Sequence, residues 1–443
     1  MKRYEAYKPS GTAWFTSVPE PWNILKINAL FSQRKEKVSD KDFAPISVTK
    51  NGIMPQLETA AKTDDGDNRK KVCVGDFVIN SRSDRKGSCG VSSFDGSVSL
   101  INIVLQPRQE LNGRYAHYLL RSQPFSEEFY RNGRGIVADL WTTRYSEMKN
   151  ILLPVPPRDE QDQIVRYLDW QVSKINRLIA AKRKQIELLN QTIAYNLERI
   201  ICEGIHGEEL VETGNPWIST APKSWNKLRH KNILTEKKIV VGDTYSQYTL
   251  LSLTTKGIIV RDISSGKGKF PSDFSTYQVV QPSDMVFCLF DVDETPRTVG
   301  LSAYTGMITG AYTVYETHDV LPEFLLHYFT AIDNKKGFKP LYSGLRKVIG
   351  KDVFSRQSIY LPSVKEQKEI VAAIDASQKK CKKAMDLFEQ EIIALTDLRT
   401  HLISDVVIGQ IDVRGIEVPT FEYIDESNNN DENTEEMEAE LDG

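Results

Sequence analysis

The sequence predicts an α+β protein: two tandem α/β domains separated by two long helices that form an intramolecular antiparallel coiled coil. Three observations carry that prediction. Residues 158–203 contain neither Pro nor Gly, and steps of four and three from Leu168 meet Leu168, Val172, Ile175, Ile179, Lys182, Ile186, Leu189, Ile193, Asn196 and Ile200. Eight of these ten are aliphatic, the mark of a heptad seam that needs a partner helix. The seam recurs 206 residues later as Ile374, Gln378, Cys381, Met385, Phe388, Ile392, Leu395, Arg399, Leu402 and Val406. Strand and turn patterns fill the stretch before each helix.

Taken in order, residues 1–21 read as irregular and close on two prolines, Pro19 and Pro21. Residues 23–31 begin a strand or short helix, and 70–80 form a strand with a Gly75-Asp76 turn. Residues 97–107 make another strand. Residues 113–135 read as a helix with Tyr115, Tyr118, Leu119 and Phe129 inward, broken near Pro124. A short strand in 148–157 ends in prolines, and the first long helix starts directly after it, with Asp159 as N-cap, Asp162 at the third helical position and Gly204 as its stop.

After a polar linker, 205–221, the chain starts again. Trp225 stands opposite Trp22, Asp284 opposite Asp76, His327-Tyr328 opposite His117-Tyr118, and Glu366-Gln367 opposite Glu160-Gln161. Duplication of one long module explains this better than a solenoid. The predicted boundaries are therefore a first domain at 1–157, a helix at 158–204, the linker at 205–221, a second domain at 222–362, a helix at 363–409 and an acidic, disordered tail at 410–443. Counting from Glu160 to Gly207 and from Glu366 to Gly409 makes the first helix region about one turn longer. A helix of 40 residues would span roughly 60 Å.

A chain of 443 residues, 40% hydrophobic and 26% charged, is an ordinary multidomain globular protein. The N-terminus lacks a hydrophobic signal region, which predicts a cytoplasmic protein without a membrane partner. Five scattered cysteines form no Cys-x-x-Cys pair, so the expectation is no metal site and no disulfide framework. The net charge is −3, but the last 23 residues carry ten acidic side chains and no Lys or Arg. Removing those ten negative charges leaves +7 on residues 1–420, compatible with a polyanionic partner.

Enzymatic motifs are lacking. Ser265-Gly266-Lys267-Gly268 has neither the upstream glycine nor the hydroxyl of a phosphate loop. No glycine-rich dinucleotide loop, His-Glu-x-x-His, Gly-x-Ser-x-Gly or Cys/His constellation is present. The expectation is no catalytic residue and a binding protein. Two alternatives stay open: a stand-alone DNA-modifying enzyme with an unrecognised active site, and a coiled-coil scaffold.

Two segments carry a family resemblance. They are Leu153-Pro154-Val155-Pro156-Pro157, Glu160-Gln161, Ile164-Val165 and Leu168-Asp169, and their echo Leu361-Pro362, Glu366-Gln367, Ile370-Val371 and Ile374-Asp375. With the tandem layout over residues 15–412, they resemble the specificity (S) subunit of type I restriction–modification systems. Ser363 in place of the second proline, and the acidic tail, depart from the pattern. The resemblance implies that each domain is a target recognition domain reading one half of a bipartite double-stranded DNA target, and the divergence of the two modules predicts that the target is asymmetric. The helices would be the spacer that docks two methyltransferase (M) subunits, with two restriction/translocase (R) subunits completing the assembly. This chain would bind no cofactor; S-adenosylmethionine, ATP and Mg would sit on the partners.

Under that resemblance, Lys and Arg should hold phosphates while a few side chains read base edges. The candidates in the first domain are Arg82, Ser83, Arg85 and Lys86, then Arg131, Asn132 and Arg134, then Thr143 and Arg144. In the second they are Lys267, Lys269, Thr295, Arg297, Lys335, Lys336, Arg346 and Lys347. Lys182-Arg183-Lys184 reads as helix surface, with Lys182 able to snorkel from the seam.

Overall fold

The computed structural model describes residues 2–56, 66–82, 85–135, 141–261, 273–342 and 347–424. It divides into two compact units. One holds the chain up to Lys182 together with residues from Glu389 onward; the other is Arg183–Phe388. The division therefore cuts across both long helices, Arg158–Glu203 and Val364–Val407, rather than setting them apart from the domains as the sequence reading did.

In the first unit the N-terminal segment is not irregular: Tyr7–Pro9 pairs antiparallel with Ser17–Pro19. Asn23–Lys26 pairs with Leu152–Val155 beside the helix start. The central sheet runs Cys89–Val91, Phe77–Asn80, Asn102–Pro107, Phe31–Gln33, all antiparallel. The strand read at 97–107 is two, Gly96–Val98 and Asn102–Pro107, divided by a turn. The helix of 113–135 is likewise two, Gly113–Arg121 and Gln123–Arg131; the Ser122 hydroxyl between them accepts from the Phe125 amide. Trp22, Tyr115, Phe31, Phe77 and Phe125 are fully buried in one core that also takes Leu168, Val172, Ile175 and Ile179 from the first long helix and Leu402, Val406 and Val407 from the second.

The second unit repeats this plan. Leu210–Glu212 pairs with Thr220–Pro222 where a linker was expected, and Trp217, Ile218 and Ala221 there are buried. Asn226–Arg229 pairs with Ser358–Leu361. The central sheet runs Leu234–Lys237, Thr313–Thr317, Met285–Phe287, Val299–Leu301. Helix Pro322–Asn334 packs over it, with Phe324, Leu325, Tyr328 and Phe329 buried. The C-terminal part of the first long helix contributes Leu197, Ile200 and Ile201 to this core, and the N-terminal part of the second contributes Ile370 and Ile374.

In each unit the two long helices run past one another in opposite senses. Every seam position named from the sequence is buried or half-buried. Lys182 lies on the seam and reaches Glu391 at 2.6 Å, and Arg399 donates to Asn176 at 2.7 Å. Lys182 and Arg399 thus reach polar partners beside the seam on the opposite helix. In the second unit Asn196 donates to Ser377 at 3.5 Å.

The start of each helix shows why Glu-Gln recurs. Glu160 accepts from the Trp22 indole N–H at 3.0 Å, and Glu366 accepts from that of Trp225 at 3.0 Å. Gln161 donates to the Pro156 carbonyl at 3.0 Å and accepts from the Asn112 amide at 2.8 Å; Gln367 does the same with Pro362 and Leu321 at the same distances. These glutamines, both 1% exposed, bind the helix to the domain by satisfying backbone groups that packing has removed from water. The helix begins at Arg158, so Asp159 lies inside its first turn instead of capping it, and Asp162 accepts from the Asn112 side chain at 2.6 Å.

Two further equivalences are corrected. The glycine matching Gly409 is Gly204, not Gly207: Gly204 and Gly409 have positive φ (+68° and +78°), and a Cβ would meet the equivalent pair, Pro222 and Trp225 at Gly204 and Pro19 and Trp22 at Gly409. The helix regions therefore differ by one residue rather than by a turn. The amide bonds of Asn112 and Leu321 to the two glutamines also shift the His-Tyr echo by one, placing Tyr118 opposite His327. Tyr118 donates to Asp169 at 2.7 Å, and His327 meets Asp375 at 3.3 Å.

The expected tail is in part ordered structure. Val413 is fully buried, the Asp412 amide donates to the Lys2 carbonyl at 2.9 Å, and Gln163 donates to the carbonyls of Val413 and Ile416. Further along, Ile424 donates to the Ser173 hydroxyl at 3.1 Å and accepts from Asn176. Residues 425–443 lie outside the described residues.

Candidate nucleic-acid interface

One turn repeats almost atom for atom in the two units and sets the loops that follow it. Asp76 is 2% exposed; its carboxylate accepts from the Cys73 amide at 2.8 Å and from Arg34 Nε at 2.6 Å and Nη2 at 3.1 Å. Asp284 accepts from the Gln281 amide at 2.8 Å and from Lys237 at 2.8 Å. The preceding residue has positive φ in both, Gly75 at +89° and Ser283 at +72°. Ser283 bears the strain of a left-handed residue with a Cβ, offset by the charge-assisted bonds around Asp284. The bidentate bond to Asp76 raises the Arg34 pKa.

From this anchor, strand Phe77–Asn80 delivers the loop beginning at Ser81. The Ser81 carbonyl accepts from the Thr143 amide at 2.9 Å, while Thr142 bridges both Arg82 and Arg134. Lys86 lies 2.6 Å from Glu127 and over the Tyr130 ring at 5.1 Å, and Trp141 donates to the Tyr130 carbonyl at 2.8 Å. The loop after Ser81, the end of helix Gln123–Arg131 and residues 141–144 thus converge. Arg82, Arg85, Arg134 and Arg144 are exposed there, and Arg131 is paired with Glu128 at 2.5 Å. Trp141 and Tyr130, which sequence reasoning missed, form the aromatic floor of this patch; a Trp beside Thr-Thr-Arg was the available signal.

The second unit makes the same junction. The Ile349 amide donates to the Leu289 carbonyl at 2.7 Å, and Phe290 bridges Val348. Here the cations are neutralised. Arg297 Nη1 and Lys336 Nζ both approach Asp333, which is 2% exposed, at 3.2 and 3.1 Å. Lys347 pairs with Glu294 and Asp293, and the bond to Glu294 raises its pKa. The Tyr342 hydroxyl, donating at 2.6 Å, and Lys339 hold the Asp293 pKa down to about 2.

Several expected contacts have other work. Thr143 is 2% exposed and donates to the Phe129 carbonyl at 2.8 Å; it supports the loop from beneath rather than facing solvent. Asn132 donates twice to Glu128, and Thr295 donates to the Asp291 carbonyl at 2.9 Å. Lys335 pairs with Glu198 of the long helix. Ser83, Lys267, Lys269 and Arg346 lie outside the described residues. Among the described residues, no cluster of His, Cys, Asp and Glu is arranged to hold a metal ion, and no helix is long and apolar enough to cross a membrane.

No protein-family model matches the chain. Its sequence is similar to type I restriction specificity subunits. It is 23% identical over 225 residues to the type I restriction enzyme MjaVIII specificity subunit of Methanocaldococcus jannaschii, covering 49% of this chain and 50% of that one. It is 22% identical over 256 residues to the putative type I restriction enzyme MjaX specificity subunit of the same organism, covering 51% and 56%. The chain spans about half the length of the curated relatives it matches. In fold it resembles a chain from a solved structure described as the structural basis of complex assembly and conformational transition of the type I R-M system. The TM-score is 0.62 at 14% identity, over 89% of this chain and 99% of that one.

Proposed function

We propose that the chain is the DNA-recognition subunit of a type I restriction–modification complex. Each unit reads one half of a split target, and the chain itself performs no chemistry. The observation that carries this reading is the duplicated junction: a buried Asp turn, the strand it anchors, and a loop bridged to a second loop, at Ser81–Thr143 in one unit and Leu289–Ile349 in the other. One architecture presents two different surfaces, exposed arginines beside Tyr130 and Trp141 in the first, of which Arg134 lies 3.8 Å from Glu147, and cations held by Asp333, Asp293 and Glu294 in the second, so the two half-sites differ. The exposed cations supply phosphate affinity, and exposed Arg side chains supply readout of base edges.

The two long helices form one intramolecular antiparallel coiled coil that sets the spacing of the half-sites and docks two methyltransferase subunits. Those use S-adenosylmethionine to methylate adenine; two ATP- and Mg-dependent restriction subunits complete a cytoplasmic assembly. Mapping N6-methyladenine in host DNA with the gene present and deleted tests this. Loss of one split asymmetric motif on deletion is the expected result, and an unchanged methylation map in a strain whose partner subunits are expressed would overturn it.

A further inference from the structure

A second cationic surface is built from residues other than the loops considered so far. The ribbon Asn226–Arg229 with Ser358–Leu361, the turn His230–Asn232 and the end of helix Lys351–Arg356 enclose an open concavity in the second unit. Its charged side chains are Lys227, Arg229, Lys231 and Arg356, all exposed. No carboxylate lines it, and none of the four cations has an ion-pair partner among the described residues; Lys227 rests over the Tyr360 ring at 5.4 Å. The cations around the loop junction of this unit, by contrast, are paired with acids, as at Asp333 and Asp293. Four like charges gathered on one concave face raise the local potential for an anion.

The duplication supplies a control within the molecule. Strand pairing sets Lys227 opposite Tyr360 and Arg229 opposite Ser358, as it sets Ile24 opposite Pro154 and Lys26 opposite Leu152 in the first unit. Lys231 and Arg356 correspond in the same register to Asn28 and Asn150. At these four positions the first unit keeps one cation, Lys26, where the second has four, although exposed Arg108 reaches the Asn28 carbonyl at 3.5 Å. The scaffold does not require them, since the same ribbon forms without them.

We propose that this concavity binds the phosphodiester backbone of duplex DNA flanking the half-site read by the second unit, so that the complex grips flanking DNA more strongly on that side. The proposal rests on the DNA-recognition reading above. Its position supports it: Arg356 ends a six-residue helix, about 9 Å long, that begins just after the Val348 bridge to Phe290. The concavity therefore borders the loop junction of the same unit. Arg and Lys with Asn232 and Ser358 beside them are the side chains that phosphate contacts employ.

The test uses the full chain assembled with its partner subunits and fluorescent duplexes carrying the mapped methylation motif, with the arm on either side trimmed in turn. For wild type, trimming one arm should weaken binding more than trimming the other. In K227A/R229A/K231A that difference should vanish, and the slope of log affinity against log salt should fall by about 2.7 for three lost phosphate contacts. Between 50 and 200 mM salt, the affinity lost would then be smaller by roughly 40-fold. Motif preference should be unchanged. R356Q, a single exposed change, should lower the slope by about 0.9. Unchanged slopes and trimming effects in both variants would overturn the proposal, as would loss of partner subunits from the purified complex with DNA contacts intact, which would mark a protein-docking face. If wild type shows no motif preference while the variants still lower the slope, the recognition reading fails and the phosphate site stands.

Discussion

The two buried glutamines at the helix starts give the most direct test of how the duplicated fold is held together. Gln367→Met keeps the length of the side chain but removes its amide. The Leu321 amide and the Pro362 carbonyl then lose partners at 2.8 and 3.0 Å in a site where Gln367 is 1% exposed. Leaving a buried backbone group unsatisfied costs about 1–3 kcal/mol, so two cost about 2–6 kcal/mol. The more apolar thioether returns part of this, on the order of 1 kcal/mol, for a net loss of about 1–5 kcal/mol. Gln161 also donates to the Glu110 carbonyl at 3.3 Å, so Gln161→Met should cost at least as much. Denaturant unfolding of the full chain, followed by a Trp probe in each unit, measures the loss. Hydrogen exchange at the Leu321 amide should accelerate in the Gln367 variant and that at Asn112 in the other. If Gln367→Met left stability within about 0.5 kcal/mol of wild type and Leu321 exchange unchanged, the role assigned to the glutamine would be wrong.

Two more expectations concern the helices and pH. Removing a matched four-residue turn from the middle of both long helices shortens each by about 6 Å, so under the proposed function the gap in the methylated motif should shrink by about two base pairs with both half-sites unchanged. Altered half-sites in the methylation map would count against the spacer role. His230 is 1% exposed against Phe329 and Phe354, and burial lowers its pKa to about 4. The unfolded chain protonates near the ordinary value of 6.5 and the folded chain only near 4, so this stability is intact above pH 6.5 and declines as pH falls toward 4. The loss reaches about 3 kcal/mol. Melting of wild type and His230→Phe from pH 7 to 4 should show a shallower pH dependence in the variant, and parallel curves would refute it.

What was legible in the sequence was whatever recurs or keeps a period. The seam positions are all withdrawn from solvent because a heptad pattern fixes a face, and Asp76 and Asp284 occupy matching turns because the chain there must pass through the same left-handed residue. The hairpins Tyr7–Pro9/Ser17–Pro19 and Leu210–Glu212/Thr220–Pro222 were missed because three-residue strands carry too little alternation to register. Their prolines and polar residues imitate a linker, yet Trp217 and Ile218 are core. The His-Tyr echo misled by one residue because identity of letters outvoted the backbone bonds that set the register. At the candidate interface, the basic loops were legible in sequence but their ion pairing was not. Arg297 and Lys336 are committed to Asp333, which sits 36 and 3 residues away in sequence. The cations of Lys227 and Arg229 went unremarked because an ordinary strand with two basic residues has no signature until its neighbours are in place.

The inclusion of residues beyond Glu389 in the first unit has a consequence for how the protein is made. Leu402, Val406, Val407 and Val413 are buried in the core of Trp22 and Tyr115, yet they are synthesised more than 200 residues after Lys182. At roughly 5–20 residues per second on the ribosome, the first-made unit waits some 10–45 s for its last core residues, while Arg183–Phe388 has all of its own as soon as it emerges. The order of completion is thus inverted with respect to the order of translation, and a nascent chain arrested before Glu389 would expose the apolar face that those late residues cover.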